Sequence, residues 1–189
     1  IDINPECAKL EEERVKIFIG SQSDRNFLEE VLKQLPELDI ILDDGGHTMI
    51  QQIVSFESLF LKVKEGGLYI VEDTHTSYWQ KFHGGLKNKN SFIEYSKKLI
   101  ESLYEGHIVN KKRIVINEIT KHINCISFYD SIVVFEKEKR LLPFHIRKGN
   151  ETIKNYIPAG LKNENKIMKI KRKILGEFDT FKTNDKGKL

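Results

Sequence analysis

A chain of 189 residues has room for one domain with a sizeable core, and 39% hydrophobic against 31% charged residues describe a soluble, somewhat polar protein. No apolar run approaches the length of a membrane span, and no signal peptide stands at the start. The net charge is +3, and the two distant cysteines, Cys7 and Cys125, suit a reduced cytoplasm with no disulfide framework and do not suggest a zinc knuckle.

In chain order, Ile1-Asp2-Ile3-Asn4 reads as the end of a strand, with Asn4 as a cap and Pro5 in the first turn of the helix that follows. Val15–Ile19 is a short β-rich run closed by Gly20. Ser21-Gln22-Ser23 is a loop, and Asp24 caps a helix over about Arg25–Gln34 that Pro36 closes. Leu38–Leu42 is the next strand. A helix from about Thr48 to Leu61 carries Phe56, Leu59 and Phe60 as a buried stripe, and Gly66-Gly67 breaks the chain before the strand Leu68–Val71. A long loop from Thr74 to about Asn90 holds Tyr78, Trp79 and Phe82, and a loop of that length with aromatic content points to function. A helix over about Ser91–Tyr104 follows. Ile123–Phe128 and Ile132–Phe135 then form an antiparallel hairpin turning at Asp130-Ser131. Beyond Lys137 the periodicity fades, with a short amphipathic helix expected over Ile167–Leu175. Residues 137–189 carry 15 Lys and Arg against 6 Asp and Glu, while the rest of the chain carries 16 against 22. This basic extension lacks the interleaved aromatics of a single-strand binder, so no nucleic acid is expected as a partner.

The alternation of strand and helix predicts an α/β, Rossmann-like doubly wound sheet, mostly parallel, with a C-terminal antiparallel hairpin. The domain is expected to occupy residues 1–136. Its most informative feature is a pair of acidic strand ends, Asp43-Asp44-Gly45-Gly46-His47 and Glu72-Asp73, separated by one crossover helix. Such a crossover makes the two strands parallel and brings their carboxyl ends to the edge where open α/β sheets bind ligands. Carboxylates gathered there repel one another unless a cation sits between them. Asp2 also ends a strand, where an acidic side chain accepts hydrogen bonds from ribose hydroxyls, and Ser21 and Gln22 stand where they can meet an adenine edge or simply cap a helix.

The segments Ile1-Asp2-Ile3-Asn4-Pro5-Glu6-Cys7, Phe18-Ile19-Gly20-Ser21-Gln22, Asp43-Asp44-Gly45-Gly46-His47 and Glu72-Asp73 occur in the order of class I S-adenosylmethionine methyltransferases. More narrowly, the chain resembles metal-dependent O-methyltransferases, above all the bacterial group that methylates sugar hydroxyls on macrolides, some relatives of which are labelled cephalosporin hydroxylases. The runs Gly66-Gly67-Leu68-Tyr69-Ile70-Val71-Glu72-Asp73, Thr76-Ser77-Tyr78-Trp79 and Phe128-Tyr129-Asp130-Ser131-Ile132-Val133-Val134 are similar to that group's signatures, and the resemblance covers about residues 1–136. Set beside that family, the chain looks short of a first strand, its Gly-rich loop and a helix at its amino end.

The resemblance implies S-adenosylmethionine as cofactor, contacted by Asp2, Gly20, Ser21, Gln22 and the Asp43 turn. It implies Mg²⁺ or a similar cation on Asp44, Glu72 and Asp73, with His47 as the base that takes the acceptor's proton. His75, Tyr78 and Trp79 are expected to meet a sugar, glycan or other small-molecule acceptor, and a homo-oligomer is compatible with all of this. Two alternatives stand beside it: a non-haem iron hydroxylase using Asp44, His47 and His75, and an inactive Rossmann-like scaffold.

Overall fold

The computed structural model describes residues 1–108, 110–144, 146, 148 and 149. The helix expected at Ile167–Leu175 lies outside them. The chain divides into two units, Ile1–Leu103 with Val115–Leu141, and Tyr104–Ile114 with the chain after Leu141. In the second unit a 3₁₀ turn, Lys111–Arg113, is capped by the Asn110 side chain.

The first unit holds a four-stranded sheet in the order β1-β2-β4-β3, formed by β1 (Leu38–Asp43), β2 (Val63–Val71), β3 (Ile123–Tyr129) and β4 (Ile132–Lys137). β1 and β2 are parallel, as the crossover requires, with Asp43 opposite Val71. The hairpin returns antiparallel, so β4 lies between β2 and β3. Helix α1 (Arg25–Lys33) begins as expected, because the Asp24 carboxylate accepts from the backbone N–H groups of Asn26 and Phe27. Helix α2 (Met49–Leu59) starts in a capping box of Thr48 and Gln51 and continues as a 3₁₀ turn, Phe60–Lys62. Helices α3 (Phe92–Leu103) and α4 (Glu118–His122) follow. None of the helices among the described residues is long and apolar enough to cross a membrane.

Three local expectations change. Asn4 and Pro5 do open a helix, but it is 3₁₀, Pro5–Leu10. Val15–Ile19 does not form a strand; one parallel bridge joins Asp2 to Ile19, through Asp2 N to Phe18 O and Gly20 N to Asp2 O. The Asn4 cap and Pro5 turn the chain away directly after Asp2, so the pairing cannot run on. Gly66-Gly67 lies inside β2 rather than before it: the pairing jumps from Leu38–Val63 to Ile40–Leu68, and Gly66 takes φ +80°. A side chain at Gly67 would sit 2.5 Å from the Asp39 carbonyl, so the glycines let the strand bulge past β1.

The core is aromatic. Phe56 of α2 is fully buried, its ring 4.3 Å from that of Phe135 and 5.2 Å from that of Tyr69, with Phe60 and Phe92 around it. On β1, Ile40 and Leu42 are exposed while Ile41 packs on the core. Lys137, buried at the end of β4, donates to the carbonyls of Leu61 and Val63 at 2.8 and 2.5 Å and staples the last strand to the start of β2. This buried ammonium is thus satisfied by carbonyls.

Candidate metal and cofactor site

The parallel pair carries the two acidic ends side by side, with Glu72 N donating to Asp43 O at 3.0 Å. Beyond them the chain makes two sharp departures. His47 has φ 57° and Asp73 φ 51°, both in the left-handed region that non-glycine residues seldom occupy. Thr76, buried in the 3₁₀ turn Thr74–Tyr78, has its hydroxyl 3.0 Å from His47 O and 2.8 Å from Asp73 O. One side chain therefore ties the two strained residues together. Strain held in place by its surroundings is typical of functional loops.

Those departures turn three side chains onto one space. His47 Nε2 lies 3.8 Å from Asp44 Oδ1 and 3.6 Å from Asp73 Oδ2, and the ligand atoms of Asp44, His47 and Asp73 are all within 4.8 Å of one another. These separations are too long for hydrogen bonds. Two ligands about 2.1 Å from one Mg²⁺ lie roughly 3 Å apart when adjacent and roughly 4.2 Å when opposed. The two aspartate oxygens thus fit a divalent cation after a slight closing, with the imidazole Nε2 of His47 beside it. His47 Nδ1, on the far side of the ring, is buried and has no hydrogen-bond partner.

The three-carboxylate set expected from sequence is not what gathers. Among the described residues the group contains His47 in place of Glu72. The Glu72 backbone carbonyl accepts from Gln52 Nε2 at 3.1 Å. The iron triad Asp44, His47, His75 is not assembled either. His75 Nδ1 is 2.6 Å from Ser131 Oγ and 3.8 Å from Asp73 Oδ1, and His75 stands outside the group.

A pocket of about 230 Å³ adjoins the group, lined by Asp2, Gly20, Ser21, Gln22, Asp44, Gly45, Gly46 and Gln51 with Ile1 and Ile3. Four of the five residues expected to meet the cofactor line it. The volume falls below the roughly 300–1,000 Å³ of common small-molecule sites, room for only part of such a ligand. Asp2 accepts from Asn4 N at 2.7 Å, and that N–H together with the Cys7 thiol holds its carboxyl below the usual range. Gly20 is required by packing, since a Cβ there would strike the Phe27 ring. The Ser21 hydroxyl is 2.9 Å from that of Ser23 in the turn before α1.

Asp43, the fifth, faces inward. It accepts from Gln22 Nε2 at 2.8 Å and from the Tyr69 hydroxyl at 3.2 Å, and burial pushes its carboxyl up despite both donors. These bonds tie the turn to Gln22 and Tyr69. On the other side of the group, the segment expected as a long loop folds into two 3₁₀ turns, Thr74–Tyr78 and Gln80–Phe82, anchored by buried Thr74, Thr76 and Ser77. Trp79 and Tyr78 remain about half exposed, and Trp79 meets His75 edge to face at 4.5 Å. An aromatic shelf therefore runs outward from Asp73. Sequence reading missed Thr76 and Ser131. Both stand in runs that resemble the family's signatures, but nothing in those runs assigns either a role in holding the site.

No family model matches the chain. It is 30% identical over 130 residues to demethylmacrocin O-methyltransferase of Streptomyces fradiae, covering 67% of this chain and 33% of that protein. It is 28% identical over 127 residues to 8-demethyl-8-alpha-L-rhamnosyl tetracenomycin-C 2'-O-methyltransferase of Streptomyces olivaceus, covering 67% and 34%. Among solved structures, the MycE methyltransferase of the mycinamycin biosynthetic pathway matches in its complex with Mg, SAH and mycinamycin VI. The TM-score is 0.67 at 27% identity, over 73% of this chain and 35% of that one. The chain thus spans about a third of the length of the curated relatives it matches. Over about two thirds of its own length, the chain is similar to these O-methyltransferases, and its α/β fold is that of the MycE methyltransferase.

Proposed function

We propose that this chain forms the metal-facing portion, with part of the cofactor site, of an S-adenosylmethionine-dependent O-methyltransferase acting on a hydroxyl of a sugar, glycan or glycosylated metabolite. The observation that carries this is Asp44, which belongs both to the Asp44–His47–Asp73 group and to the pocket lined by Asp2, Gly20, Ser21 and Gln22. A methyl donor in the pocket and an acceptor at the group would meet across one residue. The MycE methyltransferase, crystallised with Mg, SAH and a macrolide, supports the same pairing of ligands. Residues 1–136 are read as the catalytic portion and 137–189 as a basic extension. The free thiols of Cys7 and Cys125 agree with work in a reducing cytoplasm.

Asp44 and Asp73, with Glu72 beside them, would hold Mg²⁺, which when bound neutralises the carboxylates and makes an acceptor hydroxyl more acidic. In the aromatic shelf, Trp79 presents a half-exposed apolar face on which a sugar ring stacks. His47 accepts the hydroxyl proton at Nε2, so the neutral ring carries its own proton on Nδ1. The acceptor oxygen then forms its bond to the methyl carbon as the carbon–sulfur bond breaks, leaving the thioether and a methyl ether.

Calorimetric titration of S-adenosylhomocysteine with and without Mg²⁺, followed by labelled methyl transfer to rhamnosyl acceptors, tests this reading. Binding, and transfer that stops in chelator, is the expected result. Transfer undiminished by chelator removes the metal from it, and product formed with iron and oxygen but no S-adenosylmethionine replaces it.

A further inference from the structure

Gln22 stands at the loop between the pocket and α1, and its amide is fully engaged. Nε2 donates to Asp43 Oδ1 at 2.8 Å and to Ser55 Oγ at 3.0 Å, while Oε1 accepts from Gly46 N at 2.6 Å. The orientation of the amide follows from its partners: an ionised carboxylate accepts only, so the NH₂ must face Asp43 and the oxygen must face the Gly46 N–H. The partners are the residue before Asp44 and the second residue after it. Between them a Cβ on Gly45 would overlap Gln22 Oε1, so the turn closes around this one side chain. Two further bonds fix the strut. Ser55 Oγ donates to the Gln22 carbonyl at 3.2 Å, and the Tyr69 hydroxyl holds the second oxygen of Asp43. With both amide protons spent inside the protein, the Gln22 side chain has no donor left for an adenine edge, although it lines the pocket.

We infer that Gln22 is a positioning residue for the metal centre: it sets the direction of the Asp44 carboxylate by pinning the chain on both sides of it. This rests on the metal reading given above, and the test separates the two.

The test is an electron paramagnetic resonance titration of the full chain with Mn²⁺, comparing wild type, Gln22→Ala, Gln22→Glu and the double variant Gln22→Glu/Asp43→Asn. The double variant reverses the polarity of the pair. The introduced carboxylate accepts from Gly46 N and from the amide introduced at position 43, whose oxygen still accepts from Tyr69, and one negative charge is kept. Loss of an outer partner costs about 10- to 100-fold in metal affinity, so Gln22→Ala and Gln22→Glu should weaken Mn²⁺ by about tenfold or more, with a changed zero-field splitting at saturation, and the double variant should return to within about threefold of wild type. A general loosening of the fold would not be rescued by reversed polarity, nor would it alter the spectrum of the saturated ion. Wild-type affinity and spectrum in Gln22→Ala overturn the strut, as does a folded double variant no tighter than Gln22→Glu. Should Gln22→Ala fail to fold by circular dichroism, the comparison of the other two variants decides. Absence of Mn²⁺ binding by the wild type overturns the metal reading and the strut with it.

Discussion

Asp73→Asn is expected to stabilise the cation-free protein while abolishing its response to Mg²⁺. The carboxylate oxygens of Asp44 and Asp73 are no more than 4.8 Å apart, with the side chains 55% and 49% exposed. Two like charges at that distance repel by about 0.9 kcal/mol in water and about 3.5 kcal/mol at an effective dielectric constant of about 20. Half-exposed groups sit near the watery limit, so removing one charge returns about 1 kcal/mol. The backbone does not oppose the exchange, because asparagine tolerates the left-handed conformation of Asp73 at least as well as aspartate. In the wild type, Mg²⁺ at about 100 times its dissociation constant adds roughly 2.7 kcal/mol. Urea unfolding at about pH 8 in EDTA and in MgCl₂, with ionic strength matched, reads both quantities. A variant destabilised by more than about 1 kcal/mol in EDTA, or one that keeps the wild-type Mg²⁺ increment, would refute the reasoning.

Thr76→Val keeps the shape of the side chain but removes the hydroxyl from the His47 carbonyl, while the Asp73 carbonyl keeps the Thr76 backbone N–H, and the abandoned acceptor costs about 1–3 kcal/mol in urea unfolding. Tyr69→Phe should cost more at neutral than at acid pH. The carboxyl of Asp43 is held above its usual 3.8 by burial, so it binds its proton more tightly folded than unfolded and opposes folding as pH rises from about 4 through the raised value. Deleting the Tyr69 donor raises it further, giving a loss of about 1 kcal/mol at about pH 4 and up to about 3 kcal/mol at about pH 7; equal losses at the two pH values would refute this. Trp79→Ala should raise the KM for a glycoside acceptor about tenfold, the value of one aromatic contact, while S-adenosylhomocysteine binding by calorimetry stays unchanged.

The β-α-β unit was legible because its signals are local and redundant: Asp24 before a helix, Phe56 and Phe60 at helical spacing, acidic residues closing two apolar runs. The hairpin at Asp130-Ser131 was legible for the same reason. Gly66-Gly67 was not, since two glycines serve a turn and a bulge equally well, and only the position of the Asp39 carbonyl distinguishes them. Val15–Ile19 has the composition of a strand, yet strand formation depends on partners that composition does not supply. At the site, sequence order brought Asp44 and Asp73 together. The place of His47 in the group follows from a left-handed backbone angle, and the amide of Gln22 from hydrogen bonds to residues 21 to 33 positions away. Neither leaves a trace in residue spacing.

The hairpin's grip on the earlier part of the sheet sets an order of assembly on the ribosome. Ser131 receives the Thr74 backbone N–H and meets the His75 ring, and Lys137 holds two carbonyls at the start of β2. Asp73 therefore emerges 58 residues before its loop has anything to close against, and at about 5–20 residues per second that interval lasts roughly 3 to 12 s. During it the nascent chain displays both acidic strand ends without the Ser131 contacts that back the loop after Asp73. The loop after Asp73 therefore gains its backing from Ser131 only once the hairpin turn has been made.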